Sequence, residues 1–437
     1  MGQALADGEY LETAQRTITE KDTMERQNDS ARPASRRKNT LIITLLVLVV
    51  LATSLFYVYI TPAHTWIASL FHSKVNVALT VNSNSETTMF GYDLRHTRYN
   101  TKERQLNIAD VSHLQLRWSV STKEQIISSP VVDKGVLFIG SNNKHFYALD
   151  SKNGRALWSF VAKADIGSSP AVANGIVYVG SSDDKVYAFN EQTGAIKWTY
   201  TTSNSVWSSP SVASGVVYVG SNDSTLYALD ARTGTGLWGQ STNNYVSSSP
   251  AIVNGVAYVG SEDGNLYAFD AHKGMKLWNV LLGTAIRVSS PAVVNGVVYI
   301  GSEDNNLYAL DSHTGQTLWK AATRGYIHSS PAVANGVVYI GSTDGNLYAF
   351  NATTGQQLWK VSTGAAIFSS PAVANGVVYI GSQDDKLYAL DAETGSVLWS
   401  YKTGQPIDSS PTVTNGMLYV GSWDGNVYAF GLPSNAL

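Results

Sequence analysis

The sequence predicts an all-β fold: an eight-bladed β-propeller of four-stranded antiparallel blades, preceded by one transmembrane helix. Three observations lead there. Ser-Ser-Pro recurs with its proline at Pro130, Pro170, Pro210, Pro250, Pro291, Pro331, Pro371 and Pro411. A tryptophan recurs at Trp118, Trp158, Trp198, Trp238, Trp278, Trp319, Trp359 and Trp399. In both series the spacing is constant except for a single longer step, from Pro250 to Pro291 and from Trp278 to Trp319. A fixed period of about 40 residues marks a stacked or radial repeat fold. The third observation is an uncharged apolar run over 41–60, LIITLLVLVVLATSLFYVYI.

In chain order, residues 1–40 come first, with seven basic and seven acidic side chains over 1–39 and little apolar content, as expected of a disordered tail. The run 41–60 follows; at about 1.5 Å per residue it spans about 30 Å, the hydrocarbon thickness of a bilayer. It is longer than the apolar core of a cleaved signal peptide and lacks a small-x-small cleavage site, so an uncleaved signal anchor is expected. Arg32, Arg36, Arg37 and Lys38 precede it, and the next basic residue is Lys74. The basic flank places the tail in the cytoplasm and exports the remainder. Residues 61–89 read as a linker, and 90–437 as the propeller, with repeats from about residue 114.

One repeat, SSPAVANGVVYIGSTDGNLYAFNATTGQQLWKVSTGAAIF over 329–368, shows how a blade is built. Asn335-Gly336 is a two-residue hairpin signal, because both central residues of a type I′ turn need positive φ. Asp344-Gly345 reads as a second such turn, and Thr354-Gly355 closes the third. The segments between are alternating, β-branched or aromatic, as strands are. No segment carries apolar residues at helical spacing. The first tryptophan strand, Leu114 to Thr122, precedes the first Ser-Ser-Pro, and no tryptophan strand follows Tyr428-Ala429-Phe430. One blade therefore takes its outer strand from the N-terminal end, which closes the ring and removes open edges.

Composition excludes several functions. The formal net charge is −3, so no basic field exists for nucleic acid. There are no cysteines, which removes disulfides, thiolate metal sites and cysteine nucleophiles. Hydrolase elbows, phosphate loops and paired metal-binding histidines are also absent from the sequence.

The unit Tyr388-Ala389-Leu390-Asp391-Ala392-Glu393-Thr394-Gly395-Ser396-Val397-Leu398-Trp399 resembles the tryptophan-docking repeat of the PQQ-like (quinoprotein-type) propellers. That family includes quinoprotein dehydrogenases and the non-catalytic lipoprotein of outer-membrane assembly. The stretch Phe90 to Asn100, FGYDLRHTRYN, followed by Val111 to Trp118, is similar to the segment leading into the propeller of quinoprotein alcohol dehydrogenases. The resemblance implies the propeller fold for about three quarters of the chain. It also implies, for a catalytic member, PQQ with calcium. Such members carry long inter-blade insertions that build a cofactor chamber, whereas the units here are nearly identical in length and carry none.

The eight repeat tryptophans read as structural. Asp183, Asp184, Asp223, Glu262, Asp263, Glu303, Asp304, Asp344, Asp384, Asp385 and Asp424 read as turn residues, since none has calcium-loop spacing. The informative positions are those where the copies disagree. Just before Ser-Ser-Pro stand Ile127, Gly167, Trp207, Ser247, Val288, His328, Phe368 and Asp408, and the one extra residue is most simply Arg287. These positions fall on the channel rim, where one blade crosses to the next. Trp207, Arg287, His328, Phe368 and Asp408 are thus the candidate binding residues, with no catalytic or metal-ligating residue singled out. Solvated variation, contact with a protein or peptide, and quinone chemistry all remain open for them. The expectation is a membrane-anchored extracytoplasmic propeller that is a non-catalytic protein- or ligand-binding scaffold without a cofactor, its partner an unidentified protein or envelope component and its rim directed away from the bilayer. The alternative is a PQQ-dependent oxidoreductase acting on alcohols or sugars.

Overall fold

The computed structural model describes residues 88–433. The tail 1–40, the anchor 41–60 and the linker up to residue 87 lie outside these. Among the described residues no helix is long and apolar enough to cross a membrane.

Eight antiparallel four-stranded sheets are arranged as blades, one containing the N-terminal tryptophan strand. In the blade formed by the repeat over 329–368, the strands are Ala332–Ala334, Val337–Gly341, Asn346–Asn351 and Gln357–Ser362. Asn335 and Gly336 take φ of 50° and 78°, the geometry of a type I′ turn. The second turn departs from expectation: Gly345 has positive φ but Asp344 does not. Asp344 instead holds the turn with its carboxylate. Its Oδ1 accepts from Asn346 N at 3.0 Å, and its Oδ2 accepts from the Tyr348 hydroxyl at 2.6 Å and Arg324 N at 2.9 Å. The last bond reaches the segment entering the blade, so the acidic turn also fixes the crossing that carries the rim.

Closure follows the predicted phase. Gln115–Ser121 pairs antiparallel with Asn426–Gly431, and Trp118 stands opposite Ala429. Each repeat tryptophan donates its indole N–H to a backbone carbonyl of the next blade, as Trp198 does to Ala231 O at 2.9 Å and Trp359 to Ala392 O at 3.1 Å. At the seam Trp399 uses Leu114 O at 3.1 Å.

The serines of Ser-Ser-Pro form the innermost layer. The second serine of each pair donates its backbone N–H to the hydroxyl oxygen of the second serine in the following blade. The series runs Ser129 to Ser169, Ser209, Ser249, Ser290, Ser330, Ser370 and Ser410, then back to Ser129 at 3.0 Å. The first serine of each pair accepts from a glycine N–H on the second strand of its own blade, from Gly140 N to Ser128 Oγ through to Gly421 N to Ser409 Oγ. Those glycines also admit the next crossing. A Cβ on Gly301 would collide with Ile327 Cγ2, and one on Gly341 would collide with Ile367 Cγ2.

Residues 88–100 fill the central channel, where the inner strands would otherwise expose unpaired N–H groups. The carbonyls of Thr88, Leu94, Arg95, Thr97 and Arg98 accept from Val172, Ile252, Val293, Val333 and Val373, and the Tyr92 hydroxyl accepts from Val413 N. Tyr99–Asn100 adds a parallel pairing with Ala372–Ala374. Thr88 and Met89, which the sequence assigns to a linker, are already docked to the blade at Ala171.

Because the serine ring is closed, removing the hydroxyl at the seam should cost no less than removing one far from it. Ser129→Ala and Ser209→Ala each leave one buried N–H unpaired, an expected loss of about 1–3 kcal/mol. Urea unfolding should show a shift in the seam variant at least as large as in the other. A seam variant as stable as the parent would mean the circle is open there.

Candidate functional site: the channel rim

The rim is built by alternation. Before each serine pair, a valine or isoleucine is fully buried against the glycine of the preceding blade, and the following side chain turns outward. Ile286 takes the buried place against Gly260, so Arg287 and Val288 together occupy the space of one rim residue elsewhere. Both are about half exposed, Arg287 at 52% and Val288 at 48%.

Rim side chains meet turn residues of two kinds, those of the preceding blade and those of their own. The Ser247 hydroxyl lies 3.2 Å from Asn222 Oδ1 and 3.1 Å from Glu262 Oε1 and shares its one hydrogen between them. Arg287 Nε lies 3.7 Å from Glu262 Oε2 and 3.5 Å from Glu303 Oε1. His328 Nε2 is 2.8 Å from the same Glu303 Oε1. The imidazole also packs edge-on against Phe368, with centroids 5.0 Å apart, and stacks on Tyr326 at 6.2 Å. Three of the five predicted residues, Arg287, His328 and Phe368, therefore meet in one cluster.

The other two stand apart from it. Trp207 lies over Gly167, where an added Cβ would sit 3.7 Å from the indole. Asp408 accepts from Gln383 Nε2 at 3.3 Å. The carboxylate partner of His328 is Glu303. By sequence Glu262 and Glu303 are ordinary turn acids. The signal that distinguishes them is variability, since the residue after Gly-Ser runs Asn142, Ser182, Asn222, Glu262, Glu303, Thr343, Gln383 and Trp423.

Burial sets the electrostatics. It lowers the affinity of His328 for a proton, with Glu303 opposing and Arg287 reinforcing the shift. Burial also pushes the Asp408 carboxyl up to about 6, against the hydrogen bond from Gln383 and the nearby Trp423 indole. The cluster Glu262–Arg287–Glu303 balances two carboxylates against one guanidinium. Beside it stand the exposed Tyr245, Val288 and Tyr326. Such a surface combines aromatic contact area with ion pairs that are only partly desolvated, which suits recognition of a polar partner.

The Asp408 shift has a definite sign. Its folded value lies above the ordinary carboxyl value of about 3.9, so the native state holds an extra proton between about pH 4 and 6 and loses stability as pH rises through that window. Asp408→Asn should match the parent near pH 4 and exceed it by roughly 2 kcal/mol above pH 7. Thermal unfolding across pH 4–8 checks this, and a pH-independent difference would contradict the assignment.

Known proteins share this fold. The chain is similar to BamB from Moraxella catarrhalis, at 22% identity and TM-score 0.63 over 73% of this chain and 100% of that one. A europium-containing methanol dehydrogenase aligns at 16% identity and TM-score 0.69, over 80% and 98% of the two chains. The quinohemoprotein alcohol dehydrogenase of Comamonas testosteroni aligns at 16% and 0.69, over 80% and 82%. At these identities the likeness shows the fold. No curated protein matches. The family model described as outer membrane protein assembly factor BamB matches residues 97–166, 204–290, 263–372 and 343–432, more than half of the chain. By that match, together with its eight tryptophan-docked blades, the chain belongs to this family of PQQ-like propellers.

Proposed function

We propose that the propeller is a non-catalytic scaffold that binds a protein partner through its rim, around Arg287, His328 and Phe368, with Trp207 and Asp408 as outlying contacts. The observation that carries this reading is the asymmetry of the rim. The packing positions repeat eightfold, while the outward positions differ from blade to blade and concentrate charge and aromatic surface on one arc, from Tyr245 to Phe368. Membership of the BamB family favours an envelope partner. We also propose that residues 41–60 anchor the chain in the membrane with the propeller on the extracytoplasmic side, on the strength of the apolar run and its basic flank.

The alternative, a PQQ-dependent oxidoreductase, draws support from the dehydrogenase folds. The rim residues fit such a group poorly. Glu262 and Glu303 are engaged by Arg287 and His328, and among the described residues no three His, Asp or Glu side chains converge as metal ligands. Repeats of such uniform length supply no wall for a chamber above the rim.

A photo-reactive residue in place of Val288 or Tyr326 should cross-link an envelope protein in cells, whereas one in place of Leu318 on the outer strand should not. Introducing Arg287→Ala with His328→Ala should cut the cross-linked yield at least fivefold. Stoichiometric PQQ binding in the presence of calcium, with dye reduction by alcohols or sugars, would replace the scaffold reading with the enzymatic one.

A further inference from the structure

A second feature lies inside the molecule, between the serine ring and the segment that fills the channel. Arg98 is buried, at 3% exposure, and has φ of 51°, a left-handed conformation that turns the chain sharply inside the channel. One face of its guanidinium covers the Phe90 ring, 3.8 Å from the centroid. Its Nε and Nη2 are buried without a hydrogen-bond partner among the described residues. No carboxylate among those residues is paired with it. Asp93 is held by Arg95 and Thr97, and Glu103 accepts from the backbone of Arg104, Gln105, Leu106 and Gly416.

A buried cation without a partner is costly, and an orphaned donor adds a further penalty. Burial accordingly draws the Arg98 guanidinium down to about 9. Arg98 lines a cavity of about 10 Å³, together with Phe90, Tyr92, Ser129 and Ser410. That volume holds one small particle. The surrounding polar groups are donors in excess. The oxygens of Ser129, Ser410 and Tyr92 each accept a backbone N–H, from Ser410, Ser370 and Val413 respectively, and among the described residues nothing accepts their hydroxyl hydrogens. A carboxylate is too bulky for the space, and a metal cation would stand against the positive charge of Arg98.

We propose that this cavity is a binding site for a single monovalent anion of halide size, held by Arg98 Nε and Nη2 with the hydroxyls of Ser129, Ser410 and Tyr92. The anion supplies the missing counter-charge and ties the channel segment to the serine ring. Its place under the ring makes it a structural ligand, independent of whatever the rim binds.

Bromide is the probe. Crystals of the full-length protein grown in sodium bromide should show one anomalous peak within hydrogen-bonding distance of Arg98 Nε and Nη2; a water or empty density there overturns the site. In solution at constant ionic strength, replacing gluconate by bromide should raise the unfolding temperature by on the order of 3 °C for each tenfold excess over the dissociation constant. Arg98→Gln should abolish that dependence. A dependence of equal size in the variant, or none in the parent, overturns the proposal. Should Arg98→Gln not fold, the anomalous map of the parent decides.

Discussion

A circle of eight backbone-to-hydroxyl hydrogen bonds, each serine N–H to the next blade's serine oxygen, is the constraint on which this molecule depends. It joins elements distant in sequence without using a strand pairing, and it fixes the start of every inner strand at the same radius. The glycine that bonds to the other serine of the pair, and the isoleucine or valine that overlies it, are then committed. A side chain on the glycine would collide with its hydrophobic neighbour, and a polar residue in place of the isoleucine would be buried unpaired. Rim geometry is the remainder of that commitment: once one residue must point inward, the next must point out.

Two further layers hang on the circle. Outside it, each tryptophan reaches a carbonyl of the neighbouring blade, so every sheet-to-sheet contact carries a directional bond as well as apolar area. Inside it, the segment 88–100 uses mainly carbonyls to satisfy the inner edges of six of the blades. A propeller of this size leaves an axial space that short side chains do not fill. Here the chain's own lead-in fills it, at the cost of left-handed backbone at Tyr92, His96 and Arg98.

The blade count, the strand order and the seam were legible because each rests on residue types that repeat. Ser-Ser-Pro, Asn-Gly and the tryptophans report the same local chemistry from blade to blade, and their phase alone shows where the ring joins. The channel segment was legible only as a resemblance, because it works through backbone carbonyls that no side-chain pattern reveals. Arg287, His328 and Phe368 could be placed on the rim from variability. Glu303 could not, since its partners Arg287 and His328 stand far to either side of it in sequence, one of them across a blade boundary. Asp or Glu near that turn is also ordinary in the other copies. Asp344 shows the same difficulty from the other side: a residue read for turn propensity proves to hold the incoming crossing through its carboxylate.

The single extra residue beside Val288 has a consequence for orientation. The steps between successive serine pairs are alike except for this longer one, so the ring possesses a unique origin even though its framework is nearly uniform. A ligand that gripped only the repeated framework would have eight equivalent seats, whereas one that engages Arg287 and its two glutamates has a single azimuth. One inserted amino acid thereby gives a framework that is otherwise uniform between its ends a fixed angular reference.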